Sequence, residues 1–146
     1  MNKVIIAFIG NEGVGKTEAA NALVKLGAYR ISINDQVSEI AKHLVDEDAM
    51  LKSSKKIIHR IRQRGYMVHN GYWLNMVLVT VPDKENFIVI DDAWVEDVSN
   101  KIIKPYQIVR PGVTTKAIPN ITIIPNDGDI AALCEQMKIL HKRFAK

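Results

Sequence analysis

The chain of 146 residues carries a single cysteine, Cys134, so a disulfide scaffold and a cysteine-built zinc cluster within the chain are excluded. No apolar run approaches the roughly 20 residues a membrane-spanning helix needs. Its first ten residues, MNKVIIAFIG, are too short for a secretory leader and lack a small-residue cleavage site, so a cytoplasmic location is expected. There is no internal repeat, no low-complexity tract and no long linker, which suggests one domain over residues 1–146. The four histidines (His43, His59, His69 and His141) lack metal-ligand spacing. Acidic residues are slightly outnumbered, leaving a net charge of +4. That balance suits handling of small anions and falls short of a nucleic-acid-binding tail, so neither a membrane nor a nucleic-acid partner is expected.

What is present is an alternation of short apolar runs and amphipathic stretches. Lys3 to Ile9 (KVIIAFI), Phe87 to Ile90 (FIVI), Tyr106 to Val109 (YQIV) and Ile121 to Ile124 (ITII) have the length and continuity of strands buried on both faces, and Ala28 to Ile33 suits a fifth. Between them, Lys16 to Leu26 has helical periodicity with Ala19, Ala20, Leu23 and Val24 on one face. A second helix, capped by Asn34 or Asp35, carries Val37, Ile40, Ala41, Leu44 and Val45. A third starts at Ser53 or Ser54, carries Ile57, Ile58 and Ile61 and is broken by Gly65. Asn70 to Thr80 and Val95 to Ile103 also read as helices, the latter closed by Pro105. The last helix begins near Asp127 and carries Ile130, Leu133, Cys134, Met137, Leu140, His141 and Phe144 on one side. The expected fold is α/β: a three-layer sandwich with a mostly parallel five-stranded sheet and helices on both faces. Ligands of such sheets bind at the carboxyl ends of the strands.

The first strand runs into Gly10-Asn11-Glu12-Gly13-Val14-Gly15-Lys16-Thr17, which matches G-x-x-x-x-G-K-[ST], the Walker A or P-loop pattern. Backbone N–H groups must wrap phosphate oxygens closely, and glycines remove the Cβ atoms that would stand in the way. The following helix aims its N-terminus at the same anion. Lys16 is expected to reach the β- and γ-phosphates of ATP, and the Thr17 hydroxyl to ligate Mg²⁺. Glu12, acidic beside a phosphate site, is expected to face outward. Asp91 ends a buried strand beside the loop strand; it suits the Mg²⁺ water shell or, alternatively, a helix cap. Arg60, Arg62 and Arg64, with Lys55 and Lys56, make a basic helix from which one or two arginines could clamp an acceptor phosphate. Tyr72 and Trp73 could stack on an acceptor base or simply pack in the core. Arg110 opens a proline-bounded loop over 110–120, where it or Lys116 could cover the phosphates.

Beyond the loop, four further stretches are similar to the phage-type deoxynucleoside monophosphate kinases, within the wider nucleoside monophosphate kinase group. They are Ser32-Ile33-Asn34-Asp35 through Ile40-Ala41, then Arg64-Gly65 followed by Gly71-Tyr72-Trp73-Leu74, then Phe87 to Asp91 with Glu96-Asp97 beyond, and finally Ile124-Pro125-Asn126-Asp127-Gly128. The chain departs from the family where D-V-R-F is usual: here it reads Asp91-Asp92-Ala93-Trp94, without the arginine. The resemblance implies ATP- and Mg²⁺-dependent phosphoryl transfer to a (deoxy)nucleoside monophosphate, in the host cytoplasm if phage-encoded. It further implies an acceptor region over 35–81 with Asp35 near the acceptor sugar or phosphate, a mobile lid over 110–120, and Asn126, Asp127 and Gly128 against the adenine. A kinase of another small metabolite, a nucleotide-binding regulatory module without turnover, and a homodimer remain open at this point.

Overall fold

The computed structural model describes residues 3–144. Five parallel strands, β1 (Val4–Ile9), β2 (Tyr29–Ile31), β3 (Phe87–Ile90), β4 (Ile103–Val109) and β5 (Thr122–Pro125), form one sheet in the order β2-β3-β1-β4-β5. The α/β class and the all-parallel sheet follow the sequence pattern. No helix among the described residues is long and apolar enough to cross a membrane.

The alternation of side chains along β1 builds the three layers. Ile6 and Phe8 point to one face, where they pack with Leu23 of α1 (Lys16–Lys25) and with Leu133, Met137 and Leu140 of α5 (Ile130–Phe144). Ile5, Ala7 and Ile9 point to the other, against Val37 of α2 (Ile33–Leu44) and Trp73, Leu74 and Val77 of α4 (Tyr72–Leu78). Each fully buried aliphatic or aromatic side chain contributes about 1.5–3 kcal/mol, so β1, covered on both faces, anchors the domain. Its register, Val4 opposite Phe87 on β3 and Ile9 opposite Gln107 on β4, brings the ends of β1 and β3 side by side.

Several boundaries differ from those expected. Helix α2 is capped by Ser32, whose hydroxyl accepts from the Asp35 N–H, so neither Asn34 nor Asp35 is the cap. Helix α3 (Glu47–Val68) is two helical pieces joined at a kink: the first starts at the Asp46 cap, which the sequence did not show, and the second follows the non-helical Ser53 (φ −141° and ψ 32°), where a helix start was expected. Gly65 does not break α3. It is a contact point: a Cβ there would lie 2.2 Å from the Trp73 indole nitrogen, which donates to the Arg62 carbonyl at 2.8 Å. The helix expected over Val95–Ile103 is only a single 3₁₀ turn (Asp97–Ser99), because the Asp97 carboxylate turns inward and accepts from the Trp94 N–H at 2.8 Å. Pro105 lies within β4 instead of ahead of it. It is tolerated because β5 pairs with β4 only from Tyr106 onward, leaving Pro105 with one strand neighbour. Helix α5 begins at Ile130, with the Asp129 carboxylate accepting from the Ala132 N–H. Leu44 and Ile130, both expected on inward stripes, are exposed.

Candidate functional site

At the carboxyl edge of β1 and β3 lies an open cleft of about 930 Å³. Its floor is the loop from Gly10 to Thr17. Gly13 and Gly15 have positive φ, 89° and 104°. At Gly15 a side chain is excluded on two counts: the left-handed backbone, and a Cβ that would stand 2.5 Å from the Asn126 amide nitrogen. Gly10 is equally tight, its would-be Cβ 2.7 Å from the Val14 side chain and 2.9 Å from the Ile108 carbonyl. The loop therefore presents backbone to the cleft. Gly15 is also the N-cap of α1, with no side-chain hydrogen bond at the cap, so the helix dipole faces the cleft, where Glu18 of the first turn is the acidic side chain nearest in sequence.

Gly10, Asn11, Glu12, Gly13, Gly15, Lys16 and Thr17 line this cleft together with Asp35, Asp91 and Arg110. Val14 does not: it is buried and packs under Gly10. Glu12, expected to face outward, instead stands at the rim of the cleft and meets Lys55 of α3, another lining residue, in a solvent-exposed ion pair at 3.2 Å. The Lys16 ammonium donates to the Gly10 carbonyl. Burial holds its pKa below the ordinary 10.5, against the opposing pull of Asp92 and, more weakly, Asp91.

Asp91 is 4% exposed. Its Oδ2 accepts from both Nε and Nη2 of Arg30, a residue of β2, while its Oδ1 is buried with no partner. Burial first, and the charge of Asp92 second, raise its pKa above the ordinary 3.8 despite Arg30. Asp92 itself is a helix cap acting from a distance: its carboxylate accepts from the Ser32 hydroxyl at 2.8 Å and from the Ile33 and Asn34 N–H groups at 2.9 Å each. The helix cap considered for Asp91, of the segment after Ala93, is not formed: that segment is a 3₁₀ turn in which Asp97 accepts from the Trp94 N–H.

The remaining candidates are dispersed. Asn126 is buried beneath the loop, its amide donating to the Val14 carbonyl at 2.8 Å. With Gly128, Gly15, Glu18 and Arg110 it borders a smaller depression of about 280 Å³ next to the cleft; Asp127 is exposed and borders neither. Arg60 and Arg64 are exposed and line a separate depression beyond Trp94, outside the main cleft. Trp73 is 2% exposed and hydrogen-bonded to Arg62, so of its two readings core packing is the one realised; the base-stacking expectation is corrected. Tyr72 stands edge-on to Trp73 with ring centroids 4.9 Å apart and does not line the cleft. The 110–120 segment is irregular and tied both to the loop, through the Asn11 amide donating to the Thr114 carbonyl, and to β4, through Gln107 donating to the Lys116 carbonyl at 2.7 Å.

Two arginines carry more of the site than sequence reasoning gave them. Arg30 reaches Asp91 from the neighbouring strand. Arg62 has no exposure and is bonded on every side: to Asp97 (2.9 Å), the Asn34 side chain (2.8 Å), the Asp92 carbonyl (2.7 Å) and the Tyr66 hydroxyl (2.8 Å). Arg62 was only one member of the basic helix, yet it shares a helix face with Ile58 and Ile61, a signal that marks it as inward-facing.

Mg²⁺ takes few protein ligands and leans on substrate phosphates. Among the described residues no cluster of three or more His, Cys, Asp or Glu side chains could hold a metal alone. The unpartnered Asp91 oxygen and the Thr17 hydroxyl on the same cleft fit an ion held jointly with a bound phosphate.

No family model matches the chain, and no curated protein matches it. Among solved structures, the crystal structure of TT1252 from Thermus thermophilus is similar over 100% of both chains, at 14% identity and a TM-score of 0.59. At that identity the likeness establishes the fold alone.

Proposed function

We propose that the protein transfers the γ-phosphoryl group of ATP to a (deoxy)nucleoside monophosphate, giving ADP and the nucleoside diphosphate. The observation that carries this reading is the convergence of Lys16, Thr17 and Asp91 on one cleft floored by the glycine-rich loop. Little covalent work is required of a protein in this reaction; alignment and charge stabilisation dominate. The glycine-lined loop and the N-terminus of α1 hold the polyphosphate. The Lys16 ammonium, released from the Gly10 carbonyl, follows the charge that builds on the transferring oxygens. Thr17 and Asp91 would hold Mg²⁺, which would supply charge to offset that build-up. An oxygen of the acceptor phosphate forms the new P–O bond as the bond to the ADP oxygen breaks. Arg30, 39% exposed on the cleft, supplies a cation beside Asp91. Arg110 borders both the cleft and the adjoining depression, which suits a nucleotide whose base lies beside Asn126 and Gly128.

One observation favours a second reading, nucleotide binding without turnover: Arg30 already neutralises Asp91, the acid the metal would need. Incubating the protein with Mg-ATP and a panel of deoxy- and ribonucleoside monophosphates and non-nucleotide hydroxyl acceptors, and following ADP, decides between them. Acceptor-dependent ADP release that is lost in Lys16→Ala supports phosphoryl transfer to a nucleotide. ATP binding without ADP release supports the second reading. ADP release only with non-nucleotide acceptors would assign a kinase of another metabolite.

A further inference from the structure

Three depressions meet at one side chain. Trp94 lines the main cleft, the depression bearing Arg60 and Arg64, and a third of about 610 Å³ between Ala93–Glu96 and Thr115–Pro119. We infer that Trp94 is the stacking wall for the base of the acceptor nucleotide, and that this third depression is the base pocket. The inference rests on the phosphoryl-transfer reading and fills the place that Trp73, being core, leaves empty.

The indole is half-buried and held in place. The Trp94 N–H is bonded to Asp97, the Arg62 guanidinium carbon lies 4.3 Å from the ring centroid, and the His59 and Tyr66 rings lie at 4.9 and 5.4 Å. Arg62 and Asp97 are themselves immobilised by burial, so the ring loses little freedom when a ligand meets it. The pocket is continuous with the loop, because Gly10, Asn11 and Lys16 border it as well as the main cleft. A ligand with an anionic end at Lys16 and a flat aromatic end at Trp94 spans the two. Ile9, Ala93, Ile108 and Ile118 give the pocket apolar walls, and Lys116 and Glu96 offer polar groups at its border. That combination suits a nucleobase, whose faces are apolar and whose edge carries donors and acceptors. A sugar phosphate without a base would leave those walls unused.

The test compares binding of the four deoxynucleoside monophosphates with that of deoxyribose 5-phosphate, by calorimetry in Mg²⁺ buffer, for the wild-type protein, Trp94→Ala and Trp94→Phe. The Trp94 backbone bond to Asp97 survives both substitutions. In the wild type at least one nucleotide is expected to bind about tenfold or more tightly than deoxyribose 5-phosphate. Trp94→Ala is expected to erase that advantage, Trp94→Phe to keep most of it, and Mg-ATP affinity to stay within about twofold in both. An equal loss for nucleotide and sugar phosphate, a loss of ATP affinity alongside, or no preference for any nucleotide over the sugar phosphate would overturn the inference. ADP release measured in parallel separates the two claims. Turnover with an acceptor KM indifferent to Trp94→Ala removes the base pocket and keeps phosphoryl transfer. Trp94-dependent nucleotide binding without turnover keeps the pocket and removes the transfer.

Discussion

The Arg62 guanidinium and the Asp97 carboxylate lie 2.9 Å apart with no solvent exposure on either. This pair ties α3 to the turn after β3, and so ties the helices beside the cleft to Asp91, Asp92 and Trp94. The Tyr66 hydroxyl completes it, bonding Asp97 at 2.7 Å. Burial raises the pKa of Asp97 above its ordinary 3.8 even against the guanidinium.

Breaking such a pair leaves one buried charge uncompensated. Arg62→Met is expected to cost about 3–5 kcal/mol in urea unfolding. Adding Asp97→Asn removes the stranded charge, so the double variant is expected to be more stable than Arg62→Met alone. A double variant whose loss equals the sum of the two single losses would show that the two residues act independently.

Gly65 is required by the approach of Trp73. Gly65→Ala sets a methyl group against the indole nitrogen and strains its bond to Arg62. A loss of about 1–3 kcal/mol is expected, read as a lower Tm. A Tm equal to that of the wild type would mean α4 can shift without cost.

Asp92 caps α2 with three hydrogen bonds. Asp92→Ala is expected to destabilise by about 1–2 kcal/mol. It also removes the neighbouring charge that helps raise Asp91, so the Asp91 pKa should fall toward 3.8. Measured by carboxyl chemical shift, an Asp91 titration that does not move in Asp92→Ala would contradict the pairing of these two charges.

The same shift fixes a pH dependence. A raised Asp91 pKa means its carboxylate becomes protonated at a higher pH than a free aspartate on acidification, so Mg-ATP affinity should begin to fall while pH is still above 3.8. Lys16 has the opposite sense: its lowered pKa means the ammonium is lost, and affinity with it, below pH 10.5 on the alkaline side. Calorimetry across pH reads both limbs. An alkaline limb that persists unchanged in Lys16→Ala would belong to another group.

The parallel sheet and the loop were legible because their signals are local: continuous apolar runs of strand length, and glycines at fixed spacing before a lysine. The arginine roles were not. Arg60 and Arg64, four residues apart, share one helix face, while Arg62, two residues from each, points to the opposite side, and composition alone treats all three alike. Only the company of Ile58 and Ile61 distinguishes Arg62 as the inward one. Arg30 acts through a strand pairing 61 residues away in sequence, which no local pattern encodes. The Val95–Ile103 stretch has helical spacing of valine and isoleucine, but capture of Asp97 by Arg62 sets a tight turn instead. Tertiary electrostatics overrode periodicity there, next to the site.

A Gly10–Thr17 loop that grips a nucleoside triphosphate through its backbone and Lys16 is read out by titrating Mg-ATP into the wild-type protein and Lys16→Ala by calorimetry. Saturable association is expected in the wild type and at least a tenfold loss in the variant, with the fold intact by circular dichroism. No heat of association at millimolar ATP, or equal affinity in the two proteins, would contradict that grip.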